Sequence, residues 1–193
     1  MDQESPPVRE GHGYNPLRYD HLARFISYWH QIDEVLKLSG GDQNKSILEI
    51  GPGNYVSSAQ NLPLRDGSFD LVVAFQVLEH LPFSLFAPSL QEMGRVAREH
   101  LLFSVPDARY FFGLNGCLFS AGRLWRLSFS LPRLTKRVLP RPKPGGHQWE
   151  IGRAGFSLSR IITQIPDPLR LKRHCRIPGN PFHHSFVLEA SPS

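Results

Sequence analysis

The sequence predicts an α/β fold in which helices cover both faces of a reduced, mostly parallel sheet. An apolar stretch runs into a glycine-rich turn within residues 46–54, and a second apolar stretch at 71–75 ends in polar residues. Short apolar stretches bounded by turn residues are typical of strands that are buried on both faces of a parallel sheet. Ligands of such sheets bind at the carboxyl ends of the strands, so the turns that follow are candidate sites.

Length and composition are those of one globular domain. The chain has 193 residues, of which 40% are hydrophobic and 20% are charged. We expect a flexible tail over residues 1–15 and a single domain over 16–190. The two cysteines, Cys117 and Cys175, form no disulfide framework and no zinc-binding pair, which favours a reducing, cytoplasmic setting. The net charge of +5 permits attraction to anionic partners without requiring it.

Three helices follow from apolar residues at helical spacing. The first is predicted over 17–38, with Asp20 as its N-cap and Gly40-Gly41 as its end. The second is predicted over 84–98, and Pro88 is acceptable there only because it falls in the first turn. A third, short helix is predicted over 156–162.

Three further strands complete the predicted sheet. Residues 100–105 form a continuous apolar stretch that Pro106-Asp107 closes, which indicates a buried strand. The stretches at 169–177 and 185–188 flank a proline- and glycine-containing turn, so we expect an antiparallel pair at one edge of the sheet.

The glycine-rich turn after the first strand is the leading candidate for a ligand site. Gly51 and Gly53 allow a sharp turn and a close approach of the backbone to a ligand. Glu49 interrupts an apolar strand, so its charge is expected to be buried and to need a partner, either a cationic ligand group or backbone N–H groups of the turn. A phosphate-binding P-loop is excluded, because no Gly-Lys-Ser or Gly-Lys-Thr follows.

Three groups of motifs together resemble class I S-adenosylmethionine-dependent methyltransferases of the type 11 group. They are LEIGPGN at 48–54, LPLRDGSFDLVVAFQVLEHLP at 62–82 and LLFSVPD at 101–107, and the later HQWEIG (147–152) and NPFHHSFVLE (180–189) resemble one bacterial branch. The resemblance implies a Rossmann-like three-layer sandwich, S-adenosylmethionine as cofactor, and methyl transfer to an unidentified acceptor. It also implies six cofactor-binding residues: Glu49, Gly51, Gly53, Asn54, Gln76 and Glu79.

Alternatives remain open for the polar residues after the second strand. Gln76 and Glu79 either line the methionine end of the cofactor pocket or cap the helix that follows. His80 is a candidate general base because the pKa of histidine lies near neutrality, and its alternative role is a structural hydrogen bond.

The sequence also departs from the methyltransferase pattern. Leu62 follows Gly53 by only nine positions, so eight residues (54–61) lie between them, whereas one βαβ crossover needs at least about 10–12 residues. The second strand, which ends in the acidic residue that binds the cofactor ribose, therefore has no counterpart. The chain is then a degenerate relative that retains a binding role, a truncated gene product, or a protein that completes its site as a homo-oligomer.

Residues 108–146 form a basic insert rich in aromatic residues and arginine. We expect this insert to be helical, and one interpretation is a basic lid that covers the substrate and binds an anionic substrate or a membrane surface through residues 109–143. The alternatives are an amphipathic helical cap whose arginines face solvent, and an RNA-binding surface.

Two groups of histidines lie beyond the insert. His147, Trp149 and Glu150 either close over the substrate or anchor the tryptophan in the core beside an ion-paired glutamate. His174, Cys175, His183 and His184 fit no standard zinc spacing, so no metal site is predicted.

Overall fold

The computed structural model describes residues 21–51, 59–109, 111–120, 123–132, 146–177 and 180–190. The helices are α1 (His21–Ser39), α2 (Phe86–Val96) and α3 (Leu158–Thr163). The strands are β1 (Ile47–Glu49), β2 (Phe69–Phe75), β3 (Ala97–Pro106), β4 (Phe111–Ser120), β5 (Arg123–Pro132), β6 (Arg170–Ile177) and β7 (Asn180–Glu189).

A five-stranded sheet in the order β1-β2-β3-β7-β6 forms the centre of the fold. Strands β1, β2 and β3 are parallel to one another, whereas β7 runs antiparallel to both β3 and β6. Parallel pairing is therefore confined to the first three strands. The predicted antiparallel pair, with β6 at the edge, is confirmed.

Helices cover both faces of this sheet, as predicted. On one face α2 packs its buried Leu90, Met93 and Val96 against the core side chains of β2, β3 and β7. On the other face Val35 and Leu38 of α1 pack over a small cluster formed by Leu71, Val73, Leu102 and Val187. The result is a three-layer α/β sandwich whose α2 side contains most of the buried apolar surface.

Strand β1 lies at the exposed edge of the sheet, and one prediction about it was wrong. Ile47 is 44% exposed and Glu49 is also exposed, so this strand is not buried and Glu49 is not a buried charge. The short connection after β1 leaves no described strand on its outer side. A single neighbour, β2, can bury only one edge of a three-residue strand.

Asp70 attaches the start of β1 to β2. One of its carboxylate oxygens accepts hydrogen bonds from the Ser46 backbone N–H and from the Ser46 hydroxyl, both at 2.8 Å. Arg98 at the start of β3 pairs with the other oxygen. At the far end of the strand, the Ile50 N–H donates to the Val73 carbonyl at 2.8 Å. Both ends of β1 are therefore held in parallel register beside β2.

The helix predictions are confirmed within a few residues. Helix α1 ends where Gly40 and Gly41 adopt left-handed backbone angles, with φ of +62° and +77°. Pro88 lies in the first turn of α2. Backbone N–H groups there have no hydrogen-bond partner within the helix, so a proline removes no helical hydrogen bond. Ser157 caps α3 by accepting a hydrogen bond from the Arg160 N–H at 3.1 Å. The predicted N-cap Asp20 and the tail at 1–15 lie outside the described residues.

The predicted helical insert at 108–146 was wrong. Its described part is an antiparallel hairpin in which β4 pairs with β5 over ten residue pairs, from Phe111 with Pro132 to Ser120 with Arg123. The sequence carries a signal for this strand, because Trp125, Leu127, Phe129 and Leu131 recur at a period of two. No helix in the described ranges is long and apolar enough to cross a membrane.

Stability in acid should depend on Asp70. Hydrogen bonds from Ser46 and the charge of Arg98 lower the pKa of Asp70 from 3.8 to about 2. Because the folded-state pKa is depressed, this carboxylate stabilises the fold above pH 4, and that contribution is lost as the pH falls towards 2. We expect the free energy of unfolding in urea to fall over this window, and to fall less steeply in Asp70→Asn.

The control for this prediction is Asp66→Asn, which removes an exposed carboxylate just before β2. This variant should keep the pH profile of the wild type. Identical profiles for Asp70→Asn and the wild type would contradict the assignment.

Candidate functional site

The carboxyl ends of the parallel strands meet at one edge of the sheet. The register pairs Glu49 with Val73 and Phe75 with Ser104, so the three strands end side by side. Gly51, Gln76 and Asp107 follow β1, β2 and β3 respectively at this edge. The structure therefore brings together the turn after β1 and the turn after β2, which the sequence indicated as candidate ligand sites.

Gly51 presents open backbone at the end of β1. It is exposed, and a Cβ built on it would meet no atom within 4 Å among the described residues. Its φ also lies outside the left-handed region, so the prediction that the turn itself demands glycine here is not supported. What remains is the closer approach that a missing side chain allows a ligand. Gly53 and Asn54 lie outside the described residues.

Gln76 is held in a strained conformation at the end of β2. Its φ of +58° is rare for a residue with a side chain. Its backbone N–H donates to the Ser104 carbonyl and its side-chain amide donates to the Ser104 hydroxyl, both at 3.1 Å. Gln31 of α1 donates to the same hydroxyl at 3.1 Å. Strain held by several contacts is typical of functional positions.

Glu79 lies in a 3₁₀ turn (Leu78–His80) after β2, and its side chain is completely buried. Neither carboxyl oxygen has a hydrogen-bond partner among the described residues. Burial raises the pKa of Glu79 to about 7, against the opposing influences of its own backbone N–H and of His147. The residue before this turn is Val77, and no side chain caps the turn, so a capping role for Gln76 or Glu79 is not observed.

The segment at residues 147–152 is docked on this turn. The Gln148 N–H donates to the Glu79 carbonyl at 2.7 Å, and the Trp149 indole N–H donates to the Leu81 carbonyl at 3.2 Å. Trp149 is fully buried and packs edge-to-face against Phe83 and Phe86, at centroid distances of 5.2 and 5.3 Å. Of the two alternatives for this segment, the structure shows the tryptophan anchored in the core.

Glu150 pairs with two neighbours beside this tryptophan. It accepts from Arg153 Nε at 2.7 Å and lies 2.9 Å from His147 Nδ1. The hydrogen bond to Glu150 raises the pKa of His147.

His80 and His147 face each other beside Glu79. Their ring centroids are 5.0 Å apart in an edge-to-face arrangement. Partial desolvation and the neighbouring His147 lower the pKa of His80, which favours the neutral form of its ring. One potential ligand atom from each of Glu79, His80 and His147 lies within 4.8 Å of the other two. This grouping links residues 68 positions apart, and no sequence spacing predicted it.

Asp107 is a second buried carboxylate at this edge, and it is fully paired. Arg109 and Arg176 each bind it through two nitrogens, at 2.6–3.0 Å, and His184 Nδ1 lies 3.1 Å from it. Burial opposes ionisation of Asp107, but these partners outweigh burial and hold its pKa well below its usual range. The sequence offered one signal for this cluster, the Pro106-Asp107 pair that closes the third buried strand.

The histidines near the carboxyl terminus do not converge on a zinc site. His174 Nδ1 lies 2.9 Å from His184 Nε2, which joins the Asp107 cluster. His183 instead faces Ser27 of α1 at 3.3 Å, and Cys175 is an exposed free thiol. Alternating directions along β6 and β7 separate these side chains, because successive residues of a strand point to opposite faces.

A cavity of about 350 Å³ lies away from these groups. Its lining includes Gly94 and Arg95 at the end of α2, and Leu169 and Ala190 beside the outer strands. Pro88 and Gln91 of α2 also line it, and the described lining residues include neither Gly51 nor Gln76.

Removing the charge of Asp107 should strongly destabilise the fold. Asp107→Asn leaves the guanidinium groups of Arg109 and Arg176 together without their shared anion. Breaking a fully buried pair costs about 3–5 kcal/mol, and we expect a loss towards the lower end of that range, because the Arg109 and Arg176 side chains are 38% and 17% exposed. Urea denaturation at pH 7 measures the change. Asp33→Asn, which removes one partner of an exposed pair with Lys37, should change stability by no more than about 0.5 kcal/mol. Similar losses in both variants would contradict the role of Asp107.

Comparisons with known proteins bear on the identity of this fold. Residues 21–103 match the family model described as a methyltransferase domain. S-adenosylmethionine is the cofactor of that family, as the resemblance implied. A comparison with curated proteins gives no match.

Solved structures with similar folds share little sequence with this chain. The PH0226 protein from Pyrococcus horikoshii OT3 superimposes with a TM-score of 0.53 at 8% identity, covering 92% of this chain and 95% of that one. An S-adenosylmethionine-dependent methyltransferase from Aquifex aeolicus gives 0.50 at 14% identity, covering 90% and 100%. The cyclase SpnF gives 0.53 at 11% identity, covering 97% and 88%.

The family model and the structural superpositions address different parts of the prediction. The family model matches the sequence from the start of α1 to Phe103 in β3. The superpositions compare the fold over most of the chain. Together they confirm that this chain resembles the class I S-adenosylmethionine-dependent methyltransferases, with the α/β sandwich of that group.

Proposed function

We propose that this chain binds S-adenosylmethionine at the carboxyl edge of β1, β2 and β3 and transfers its methyl group to an acceptor. The observation that carries the proposal is the open backbone at Gly51 beside Gln76 and Glu79, within the part of the chain that matches a methyltransferase domain. A ligand at this edge would meet the exposed backbone of Gly51 and the fixed amide of Gln76, with the buried carboxyl group of Glu79 behind them.

The six predicted cofactor-binding residues would each have a role at this site. Gly51 and Gly53 would let the cofactor approach the backbone, with Glu49 and Asn54 at the rim of the site. Gln76 and Glu79 would line the methionine end, where Ser104 holds the Gln76 amide in place. When bound, the cofactor supplies an electrophilic sulfonium methyl group.

The proposed chemistry needs positioning and a proton acceptor. In-line attack on the methyl group requires the acceptor to be held in a near-attack geometry. Where the acceptor must lose a proton, the neutral ring of His80 is the candidate base, because its lowered pKa leaves a nitrogen lone pair available at pH 7. The ring is exposed at this edge, so an acceptor can reach it.

Gly51→Val tests cofactor binding with little risk to the fold. A Cβ at this position meets no described atom, so the free energy of unfolding should stay within about 0.5 kcal/mol of the wild type. Calorimetric titration with S-adenosylmethionine and S-adenosylhomocysteine should show binding to the wild type and at least a tenfold weakening in the variant. The matched control is Gly146→Val, another exposed glycine with open space around it, which should bind normally. Lack of wild-type binding at millimolar ligand would overturn the proposal.

A non-catalytic binding protein is the second candidate. The exposed edge at β1 favours it, because no described strand beyond β1 supplies an acidic residue for the cofactor ribose. A similar fold in a protein named as a cyclase illustrates that the fold does not fix the reaction. Cofactor binding without methyl transfer to any acceptor tested would favour this candidate.

The partners of the chain are also proposals. The basic residues within 109–143 suit an anionic acceptor, and RNA or an anionic membrane are the alternative ligands of the same stretch. Binding to RNA that falls steeply with salt would favour the RNA alternative.

We also propose self-association through the edge strand β1 and helix α1. Tyr28, Ile32 and Leu36 on α1 are 57%, 54% and 59% exposed, close to one another on one face of the helix. Burying such apolar side chains in a dimer would be favourable. Light scattering should show dimers or larger species that Ile32→Glu shifts towards the monomer, whereas Lys37→Glu on the same helix should not. A monodisperse wild-type monomer would contradict this proposal.

A further inference from the structure

We propose that Glu79, His80 and His147 form a binding site for a divalent cation of the zinc class. Two imidazoles and one carboxylate are a donor set that zinc uses in proteins, with a fourth position left open. The ligands come from two segments that are packed together, the turn after β2 and the segment at 147–152. Glu79 and His80 also have roles in the proposed methyl transfer, but zinc binding is measured without cofactor or acceptor, so the two proposals can fail separately.

The distances suit an ion with small side-chain adjustments. The three candidate ligand atoms lie within 4.8 Å of one another. Tetrahedral zinc with bonds of about 2.0–2.2 Å places its ligand atoms roughly 3.3 Å apart. The histidine rings therefore need to close by at most about 1.5 Å, which rotation about their side-chain bonds provides. His80 is exposed, so its ring has room to turn, whereas the half-buried His147 ring is held by its hydrogen bond to Glu150.

The carboxyl group of Glu79 is the strongest indication that something is bound here. Its side chain is completely buried, and neither oxygen has a hydrogen-bond partner among the described residues. A buried carboxylate without a partner is costly, and native structures normally supply a cation or a set of N–H donors. Asp107, at the same edge, shows the usual arrangement, with two arginines and a histidine around it. Glu79 has no such partners, and a metal ion would provide the missing positive charge.

Glu150 supports this assignment from outside the ligand set. Its carboxylate lies 2.9 Å from His147 Nδ1, so the Nδ1 proton points at Glu150 and the Nε2 lone pair is left for an ion. Metal-binding histidines commonly donate their second ring N–H to a carboxylate in this way. Arg153 binds the other oxygen of Glu150 at 2.7 Å and fixes its direction. Glu150 is therefore a positioning residue.

Such an ion would clamp the segment at 147–152 onto the turn after β2. This segment carries Trp149, which the aromatic core already buries against Phe83 and Phe86. An ion on His80 takes the same lone pair that a general base needs, so the ion-loaded protein cannot use His80 to accept a proton. The His80 ring can therefore bind zinc or act as a base, but it cannot do both at the same time.

The test is a zinc titration of the full chain after removal of metals with a chelator, without cofactor or acceptor. Competition with a chromophoric chelator should show one zinc ion per chain at micromolar affinity or tighter. Glu79→Gln and His147→Ala should each weaken binding at least tenfold. Glu150→Gln should weaken it by about 10–100-fold, as expected for a residue that orients a ligand.

His30→Ala is the matched control, since it removes a partly buried histidine of α1 outside the three-residue group. It should leave zinc affinity unchanged, and circular dichroism of each variant checks that it is folded. Glu79→Gln preserves side-chain shape and removes an unpaired buried acid, so the metal-free variant should unfold at the wild-type temperature or above it. Wild-type binding weaker than about 100 μM, or equal affinity in Glu79→Gln, His147→Ala and the wild type, would overturn the proposal.

Discussion

Strands β2 and β3 are buried between two helical layers, and their burial positions the other elements of the fold. Leu71, Val72 and Ala74 are almost completely shielded from solvent, as are Leu101 and Phe103 on the neighbouring strand. Burying side chains on both faces fixes the register of the two strands, because a slip by one residue would exchange the faces. The turns after the strands, including Gln76 and Asp107, are positioned by this register. The candidate site is thus a consequence of core packing.

The short connection after β1 has consequences on one side of the sheet only. It leaves β1 as an edge strand with a single neighbour, held at its ends by Asp70 and by the Ile50 hydrogen bond. The face under α1 has a small apolar cluster, and polar contacts supplement it. Gln31 reaches Ser104, and Arg173 pairs with the nearly buried Glu34. The α2 face has the larger apolar cluster, and the segment that carries Trp149 packs against it.

Two buried carboxylates at the same edge illustrate two ways of placing an acid in a protein interior. Asp107 is ionised because two arginines and a histidine compensate its burial, so it acts as a fixed structural anion. Glu79 lacks compensation, and its pKa rises to about 7 for that reason. A compensated charge stabilises its surroundings, whereas an uncompensated one is available for a ligand.

Local sequence patterns were sufficient to predict the strands and turns at the centre of the fold. The apolar stretches at 71–75 and 100–105, the end of α1 at Gly40-Gly41 and the antiparallel pair β6–β7 depend on local periodicity and turn chemistry, so they were predictable. The same local evidence indicated that Gln76, Glu79 and His80 follow a buried strand.

Which side chains are buried, and which are in contact, depends on how distant segments pack together. Glu49 was expected to be buried, and it is exposed because β1 has no outer neighbour. The insert became a hairpin, because periods of two and of 3.6 residues are hard to separate in a stretch that mixes aromatic residues with arginine. The grouping of Glu79 and His80 with His147, and of Asp107 with Arg176 and His184, joins distant segments. Such contacts follow from how the segments pack against the sheet, which the spacing of residues along the chain does not encode.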